Sequence, residues 1–188
     1  MPVTVEDLVG YVERDLDGDL ARWFADAPRV EIPEETRPVG AFLAKLPAEA
    51  AAALEAFDRR VRSGEMARFL ELEEWTYGFD FAANECEVLD TDYETPIPDE
   101  DLWAIGGDGG GNLFVVLTTG RVAVWFHEEQ VIEAHTDYDS VDAFVWSLVR
   151  YQAVRDGALD LPSVEAEFRE LGQPGALAPE VGLLAYLA

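Results

Sequence analysis

Apolar residues at helical spacing mark the first third of the chain. From residue 5 to residue 24 they recur every three or four positions, which predicts one or two amphipathic helices. Residues 27–40 contain three prolines and predict an irregular or edge-strand connector. A longer helix is predicted over Ala48–Arg62, because Pro47 stands at a helix-start position, apolar residues share one side and Gly64 follows the last turn.

A period of two follows in an aromatic stretch. Residues 75–81 alternate aromatic side chains with polar or small ones, and this alternation predicts a strand with one buried face. The aromatic positions are Trp75, Tyr77, Phe79 and Phe81. Val88 and Leu89 are expected in a second short strand before the proline turn at residues 96–98.

Short β-rich runs separated by turns occupy residues 102–134. The runs are 102–105, 113–117, 122–126 and 131–134, with a glycine-rich break at 106–111 and a Thr-Thr-Gly turn at 118–120. Runs of this length and composition predict a meander of antiparallel strands.

Helices are predicted again after the meander. Asp139 or Ser140 is expected to cap a helix that ends by Gly157, and two shorter helices are expected at 161–171 and 179–187. The inner face of the first of these helices should carry Val141, Phe144, Val145, Leu148 and Tyr151. The fold class is therefore α+β, with an antiparallel sheet of about five or six strands packed with flanking N- and C-terminal helices. Without repeats or a long linker, residues 1–188 form one domain.

The charge balance narrows the classes of partner. The chain has 39 Asp and Glu against 13 Lys and Arg, a formal net charge of -26. Nucleic acid and anionic membrane surfaces are disfavoured because both are bound through Lys and Arg, whereas a basic protein would be attracted. The alternative cause of the net charge is an acidic bias of the whole composition, since Lys45 is the only lysine and alanine is abundant.

The expected compartment is the cytoplasm. The N-terminal residues do not resemble a secretory signal, and no apolar run reaches the ~18 residues of a membrane span. Cys86 is the only cysteine, so an intramolecular disulfide is impossible and a reducing compartment suits the chain. A monomer is the favoured oligomeric state.

Acidic and aromatic residues concentrate where basic residues are missing. No Lys or Arg lies between Arg68 and Arg121. We therefore expect a partner-binding face within this interval, with charge steering the encounter and aromatic side chains acting as anchors. Its candidate residues are Glu73, Glu74, Trp75, Asp80, Asp90, Asp92, Tyr93, Glu94, Asp99, Glu100 and Asp101.

Motifs for catalysis, metals and cofactors fit poorly. The glycine run is followed by a strand and by no Gly-Lys-Ser/Thr, so it predicts a tight turn rather than a phosphate loop. Thr95 stands where a calcium loop needs glycine. His127, His135 and Cys86 have no metal-ligand spacing, and no HExxH sequence occurs. No catalytic residue, metal site or cofactor is predicted.

Three stretches together resemble a known family. Residues 102–112 read LWAIGGDGGGN, residues 120–128 read GRVAVWFHE after a hydrophobic strand, and Ser140 opens a helix through Phe144. This order, within residues 102–151, resembles the SUKH superfamily. The resemblance makes Gly106, Asp108, Gly109, Gly110 and Gly111 the glycine turn of the family, and Trp125, His127 and Glu128 its strand-end signature. Residues 158–188 form a C-terminal extension outside it.

The resemblance implies a curved antiparallel sheet and, most often, a bacterial immunity protein that binds a toxin domain. The first hypothesis is thus a non-enzymatic protein that covers a basic active site, such as that of a nuclease. The second is a regulator or scaffold of the same fold with a cellular partner unrelated to a toxin. The third is an enzyme that uses His127 with a second titratable group.

Overall fold

The computed structural model describes residues 3–30, 37–73, 75–90 and 95–188. Within them the chain is α+β, with seven α-helices and a four-stranded antiparallel sheet. The helices are α1 Tyr11–Arg14, α2 Leu16–Trp23, α3 Gly40–Leu43, α4 Ala48–Arg62, α5 Val141–Arg155, α6 Leu161–Leu171 and α7 Pro174–Leu177. The strands are β1 Leu102–Gly107, β2 Leu113–Leu117, β3 Val122–Phe126 and β4 Val131–Ile132.

The sheet is a simple meander in the order β1-β2-β3-β4. Its register shifts between Ala104 and Gly106, which places a bulge in β1. Gly106, expected in the glycine turn, is therefore a strand residue together with Gly107, and the turn that joins β1 to β2 spans residues 108–112. Beyond β1, single antiparallel bridges join Glu71 to Gly107 and Tyr77 to Ile105. The expected fifth and sixth strands are absent from the described residues, which contain only such isolated bridges at those places.

Both faces of the sheet are buried, and successive side chains along each strand enter different cores. In β2, Phe114 and Val116 belong to one core, whereas Leu113 and Val115 belong to the other. We call the face of Phe114 the first face and the face of Leu113 the second face. Because each strand is covered on both sides, its sequence is an almost continuous apolar run rather than an alternating one.

Helices cover the first face. Helix α5 contacts α1, α2, α4 and α6, and its residues from Val141 to Val149 are all buried. It is therefore apolar around most of its circumference, more than the single inner face that the sequence predicts. Ser140 caps this helix as expected, since the Ala143 N–H donates to its Oγ at 3.1 Å.

An irregular segment covers the second face. The predicted strand over residues 75–81 is wrong, because these residues form turns and make one bridge to β1. Thr76 and Tyr77 donate their N–H groups to the Glu73 carbonyl, and Gly78 adopts a positive φ. The aromatic rings then separate: Tyr77 enters the first core, Phe81 enters the second and Trp75 lies outside.

The C-terminal region agrees in part with the expectation. Helix α6 has the predicted bounds, and Gly172 ends it in the left-handed conformation. The expected helix over residues 179–187 is reduced to a 3-10 turn at Ala185–Leu187, and α7 precedes it. No helix in the described ranges has the length and apolar character that crossing a membrane requires.

A buried carboxylate attaches the N-terminal segment to α5. Asp142 is 3% exposed. Its two oxygens accept the N–H groups of Gly10 at 2.8 Å and Val12 at 2.9 Å. Burial raises the pKa of Asp142 above its usual value, although these two N–H groups oppose the change. The raised pKa means that the folded chain binds the Asp142 proton more tightly than the unfolded chain does. The contribution of this shift to stability is therefore fully present below the usual pKa of aspartate and is lost as pH rises through the raised pKa of the folded chain.

We predict that Asp142→Ala lowers the free energy of unfolding by about 2–4 kcal/mol at neutral pH, because the buried N–H of Val12 and the partly buried N–H of Gly10 lose their acceptor. Urea denaturation followed by circular dichroism measures the change. Glu170→Ala is the control, since Glu170 is exposed on α6, and it should change stability by less than about 0.5 kcal/mol. Equal stabilities for the two variants would contradict this role of Asp142.

Candidate protein-binding site

The segment over the second face carries carboxylates that are poorly compensated. We call the described residues 71–73, 75–90 and 95–101 the acidic cover. The ion pairs between described residues that reach it join Asp99 to Arg37 at 3.0 Å and Asp101 to Lys45 at 2.9 Å. The side chains of Glu71, Glu73, Glu85, Glu87 and Glu100 are exposed and have no ion-pair partner among the described residues. The cover is a locally negative surface.

The helical layer is different, because its arginines pair with its carboxylates. Arg150 bridges Asp19 and Glu167, and Arg60 bridges Asp17 and Glu65. Further pairs are Arg59–Glu13, Arg62–Asp58 and Arg169–Glu165. Although exposed pairs contribute little stability, they neutralise the local field. Exposed carboxylates without an ion pair to a described residue also occur outside the cover, as at Glu6, Asp26 and Glu170, but the acidic cover contains no Lys or Arg of its own. The ion pairs that reach it from other described residues come from Arg37 and Lys45.

Some of the predicted partner-binding residues hold the cover in place instead. Asp99 accepts the Phe81 N–H at 2.8 Å, and Asp80 accepts the Ala83 N–H at 2.8 Å. Asp101 binds the Lys45 ammonium, which also donates to the Glu100 carbonyl at 2.8 Å. These bonds fix a segment whose described residues form neither an α-helix nor a strand, although Asp99–Asp101 make one 3-10 turn.

The remaining predicted residues differ in accessibility. Glu73, Trp75 and Glu100 are exposed, and Asp90 is half-buried with its N–H donated to the Thr95 carbonyl at 3.1 Å. Glu74, Asp92, Tyr93 and Glu94 lie outside the described residues. Glu71, Glu85 and Glu87 belong to the same surface and were not among the predicted binding residues, although the lack of Lys and Arg in this interval applies to them equally.

An aromatic hollow lies between the cover and the glycine turn. Its volume is about 320 Å³. The residues that line it are Glu71, Trp75, Thr76, Phe79, Gly109, Gly111, Leu113 and Trp125. Trp75 is 57% exposed, whereas Trp125 is 4% exposed. One indole is therefore fixed in the second core, and the other is available to a partner.

The glycine turn is closed by its own side chains. Asp108 Oδ1 accepts the N–H groups of Gly110 at 2.7 Å and Asn112 at 3.2 Å, and Asp108 Oδ2 accepts the Asn112 Nδ2 amide at 2.9 Å. The Asp108 carboxylate thus already accepts the N–H groups that a bound phosphate would need as free donors. This arrangement agrees with the expected tight turn.

The turn also contacts the strand-end residues. Asn112 Oδ1 accepts the backbone N–H of His127 at 3.2 Å and lies 3.0 Å from its ring Nδ1. Trp125 donates its indole N–H to the Glu87 carbonyl at 3.0 Å, which connects β3 to the acidic cover. Glu128 is exposed. Most of the residues carried over from the family motif therefore lie in one connected region.

A larger cleft of about 460 Å³ lies beside the same turn, towards α5. Arg68 and Arg155 are among its lining residues, with Tyr151 and Tyr186. Arg68 pairs with Asp156, and the Arg155 guanidinium lies 5.6 Å from the Tyr151 ring. Because its charged lining includes arginine, this cleft suits a basic partner less well than the acidic cover does.

Metal ligation finds no support in the described ranges, which contain no group of three or more His, Cys, Asp or Glu side chains placed to hold an ion. The Cys86 thiol is half-buried and lies 3.6 Å from the Asn84 carbonyl oxygen.

No family model, curated protein or solved structure matches the chain. The site is consequently defined by the geometry of its own residues.

We predict that Gly111→Ala displaces the His127 ring, because a Cβ at Gly111 would lie 3.0 Å from ring atoms Cε1 and Nδ1. Gly109→Ala is the matched control: its φ is also positive, at +81°, but a Cβ there meets nothing within 4 Å. Both variants should lose about 1–2 kcal/mol of stability to backbone strain.

NMR of the histidine Cε1–H signals distinguishes the two variants. The His127 signal should shift in Gly111→Ala and stay near its position in Gly109→Ala. Equal shifts in both variants would contradict the close packing of the turn against His127.

Proposed function

We propose that this chain is a non-enzymatic immunity protein of the SUKH type, which neutralises a bacterial toxin domain by binding it inside the cell. The acidic cover is the surface that meets the toxin, and the toxin presents a basic active site, such as that of a nuclease. Inhibition is steric, because a partner covered at its active site no longer reaches its substrate.

The observation that carries this proposal is the uncompensated charge of the acidic cover. Its exposed glutamates lie on one short segment, whereas the carboxylates of the helical layer are largely paired with arginine. A concentrated negative field raises the association rate with a basic protein by 10-fold or more at low salt.

The contacts that hold the acidic cover on the sheet support the same function. Phe81 and Val88 are buried in the second core, and the Trp125 indole and the Asp99 carboxylate hold the backbone of the segment. A surface ordered before binding loses less conformational entropy when it meets its partner. Trp75 adds an exposed aromatic side chain of the type that provides most binding energy at interfaces.

The family assignment is supported by contacts between separate parts of the motif. Asn112 connects Asp108 of the glycine turn with His127 at the end of β3. Asn112 and His127 are 15 positions apart in the chain and lie at the adjoining ends of β2 and β3, so a structural role explains why the motif would contain both. The assignment stands on this agreement and on the sequence order.

Co-expression with a toxin domain encoded beside this chain tests the proposal. Survival of the cells, together with co-purification of a stable complex, is the expected result. Survival without a complex, or toxicity despite equal expression, would contradict immunity by binding and favour a regulator or scaffold with another partner.

We predict that the triple variant Glu73→Lys, Glu85→Lys, Glu87→Lys slows association with the toxin by about tenfold or more at low salt, and that it flattens the salt dependence. These side chains are exposed, so the fold should persist. Stopped-flow fluorescence or biolayer interferometry measures the rates.

The control triple variant is Glu6→Lys, Asp26→Lys, Glu170→Lys. Its residues are exposed, lie outside the acidic cover and have no ion pair with a described residue, and it changes the net charge equally. If both triple variants slow association to the same extent, net charge alone explains the rate and the cover is not the interface.

A further inference from the structure

The geometry points to the aromatic hollow as a receptor for one arginine side chain of the basic partner. This inference deepens the proposed function and rests on it, because it names the group that the acidic surface recognises. The occupant is a guanidinium group that lies against the indole of Trp75 and meets the carboxylate of Glu71.

The lining of the hollow suits a flat cation. Trp75 and Trp125 contribute indoles and Phe79 contributes a ring, with the Phe79 and Trp125 centroids 6.5 Å apart. Phe81 supports both rings from the second core, with its centroid 5.0 Å from each. A guanidinium stacks on aromatic faces, and indole gives the strongest cation–π attraction. The supported rings thus provide a stable surface beside the exposed Trp75.

The carboxylate of Glu71 is set at the rim by backbone pairing. Glu71 and Gly107 exchange both backbone hydrogen bonds, at 3.0 and 2.9 Å. The Glu71 side chain then packs over Gly107, where an added Cβ would lie 2.8 Å from Oε2. The absence of a side chain at Gly107 leaves this place to the carboxylate. Carboxylates bind guanidinium groups through two parallel hydrogen bonds, which an ammonium group cannot form.

Glycines of the turn also line the hollow, where they add no side chain. A Cβ at Gly109 would meet nothing within 4 Å, so the backbone there borders open space. Gly111 lies against the His127 ring and closes the hollow on the side of β3. The hollow is therefore open towards the solvent beside Gly109 and Trp75, where a side chain of a partner would enter.

The described part of the chain supplies no cation for this hollow. No Lys or Arg lies between Arg68 and Arg121 in the sequence. Arg68, the basic residue nearest to Glu71 in the sequence, pairs with Asp156 and lies over the Phe24 ring. Glu71 thus has no ion-pair partner among the described residues, and a basic partner would bring the missing charge.

The direct test uses the whole chain labelled with ¹⁵N and the peptide acetyl-Gly-Arg-Gly-amide. The five indole N–H signals of the chain are followed by NMR during titration, and the same peptide with citrulline in place of arginine is the uncharged control. We expect the Trp75 and Trp125 signals to shift with the arginine peptide while those of Trp23 and Trp146 stay fixed. The citrulline peptide should cause little change.

Glu71→Gln should weaken binding of the arginine peptide by about tenfold, since it removes a charged acceptor and keeps the shape of the side chain. Glu170→Gln should leave the affinity unchanged. Trp75→Ala should abolish the shift of the Trp125 signal. Equal shifts of all indoles, equal binding of the citrulline peptide, or no shift up to the solubility limit of the peptide would overturn the inference.

Failure of this inference is distinguishable from failure of the proposed function. If the toxin binds and Glu71→Gln and Trp75→Ala leave its dissociation constant unchanged, the arginine receptor is wrong and the immunity function stands. If the arginine peptide binds as expected and no toxin encoded nearby forms a complex, the receptor stands and the partner is another basic protein.

Discussion

The structure depends on a sheet that must be covered on both faces. Along each strand one side chain enters the helical core and the next enters the second core, so neither face can be left to water. A face of this kind buries apolar area worth roughly 25 cal/mol per Å², and exposing it would remove a large part of the stability of the domain. Helices cover the first face, and the second face is covered by a segment whose described residues form neither an α-helix nor a strand.

That second cover connects the fold with the proposed function. Its apolar side chains, such as Phe81 and Val88, point into the core, and its backbone is held by a few long-range bonds to Asp99 and Trp125. Residues that do not serve these purposes are free to carry charge. A segment built in this way can present many carboxylates on a fixed frame, which an amphipathic helix with arginine pairs does not do here.

The sequence predicts much of the fold because local signals are strong. Helices α4 and α6 begin and end where their proline, capping and glycine signals indicate, and the meander follows its turn residues. The strand predicted over residues 75–81 is wrong because the alternation predicts one buried face, whereas Tyr77 and Phe81 enter different cores. The sequence does contain a signal for two cores. The apolar runs of β2 and β3 are continuous rather than alternating, which indicates that both faces of the sheet are covered.

The candidate site is predictable only in outline. The lack of basic residues between Arg68 and Arg121 locates the negative segment, but it does not reveal which carboxylates are neutralised. Asp99 and Asp101 pair with Arg37 and Lys45, which lie far away in the sequence, and only the folded chain brings them together. The hollow beside Trp75 likewise forms from three separate stretches of the chain, so no single sequence motif predicts it.

Hydrogen–deuterium exchange of the chain, alone and bound to the toxin with which it co-purifies, tests most directly whether the acidic cover is the binding surface. We expect binding to slow exchange in residues 71–90 and in the glycine turn and to leave exchange in helices α2, α4 and α6 unchanged. Protection confined to those helices, with unchanged exchange in the acidic cover, would contradict this expectation.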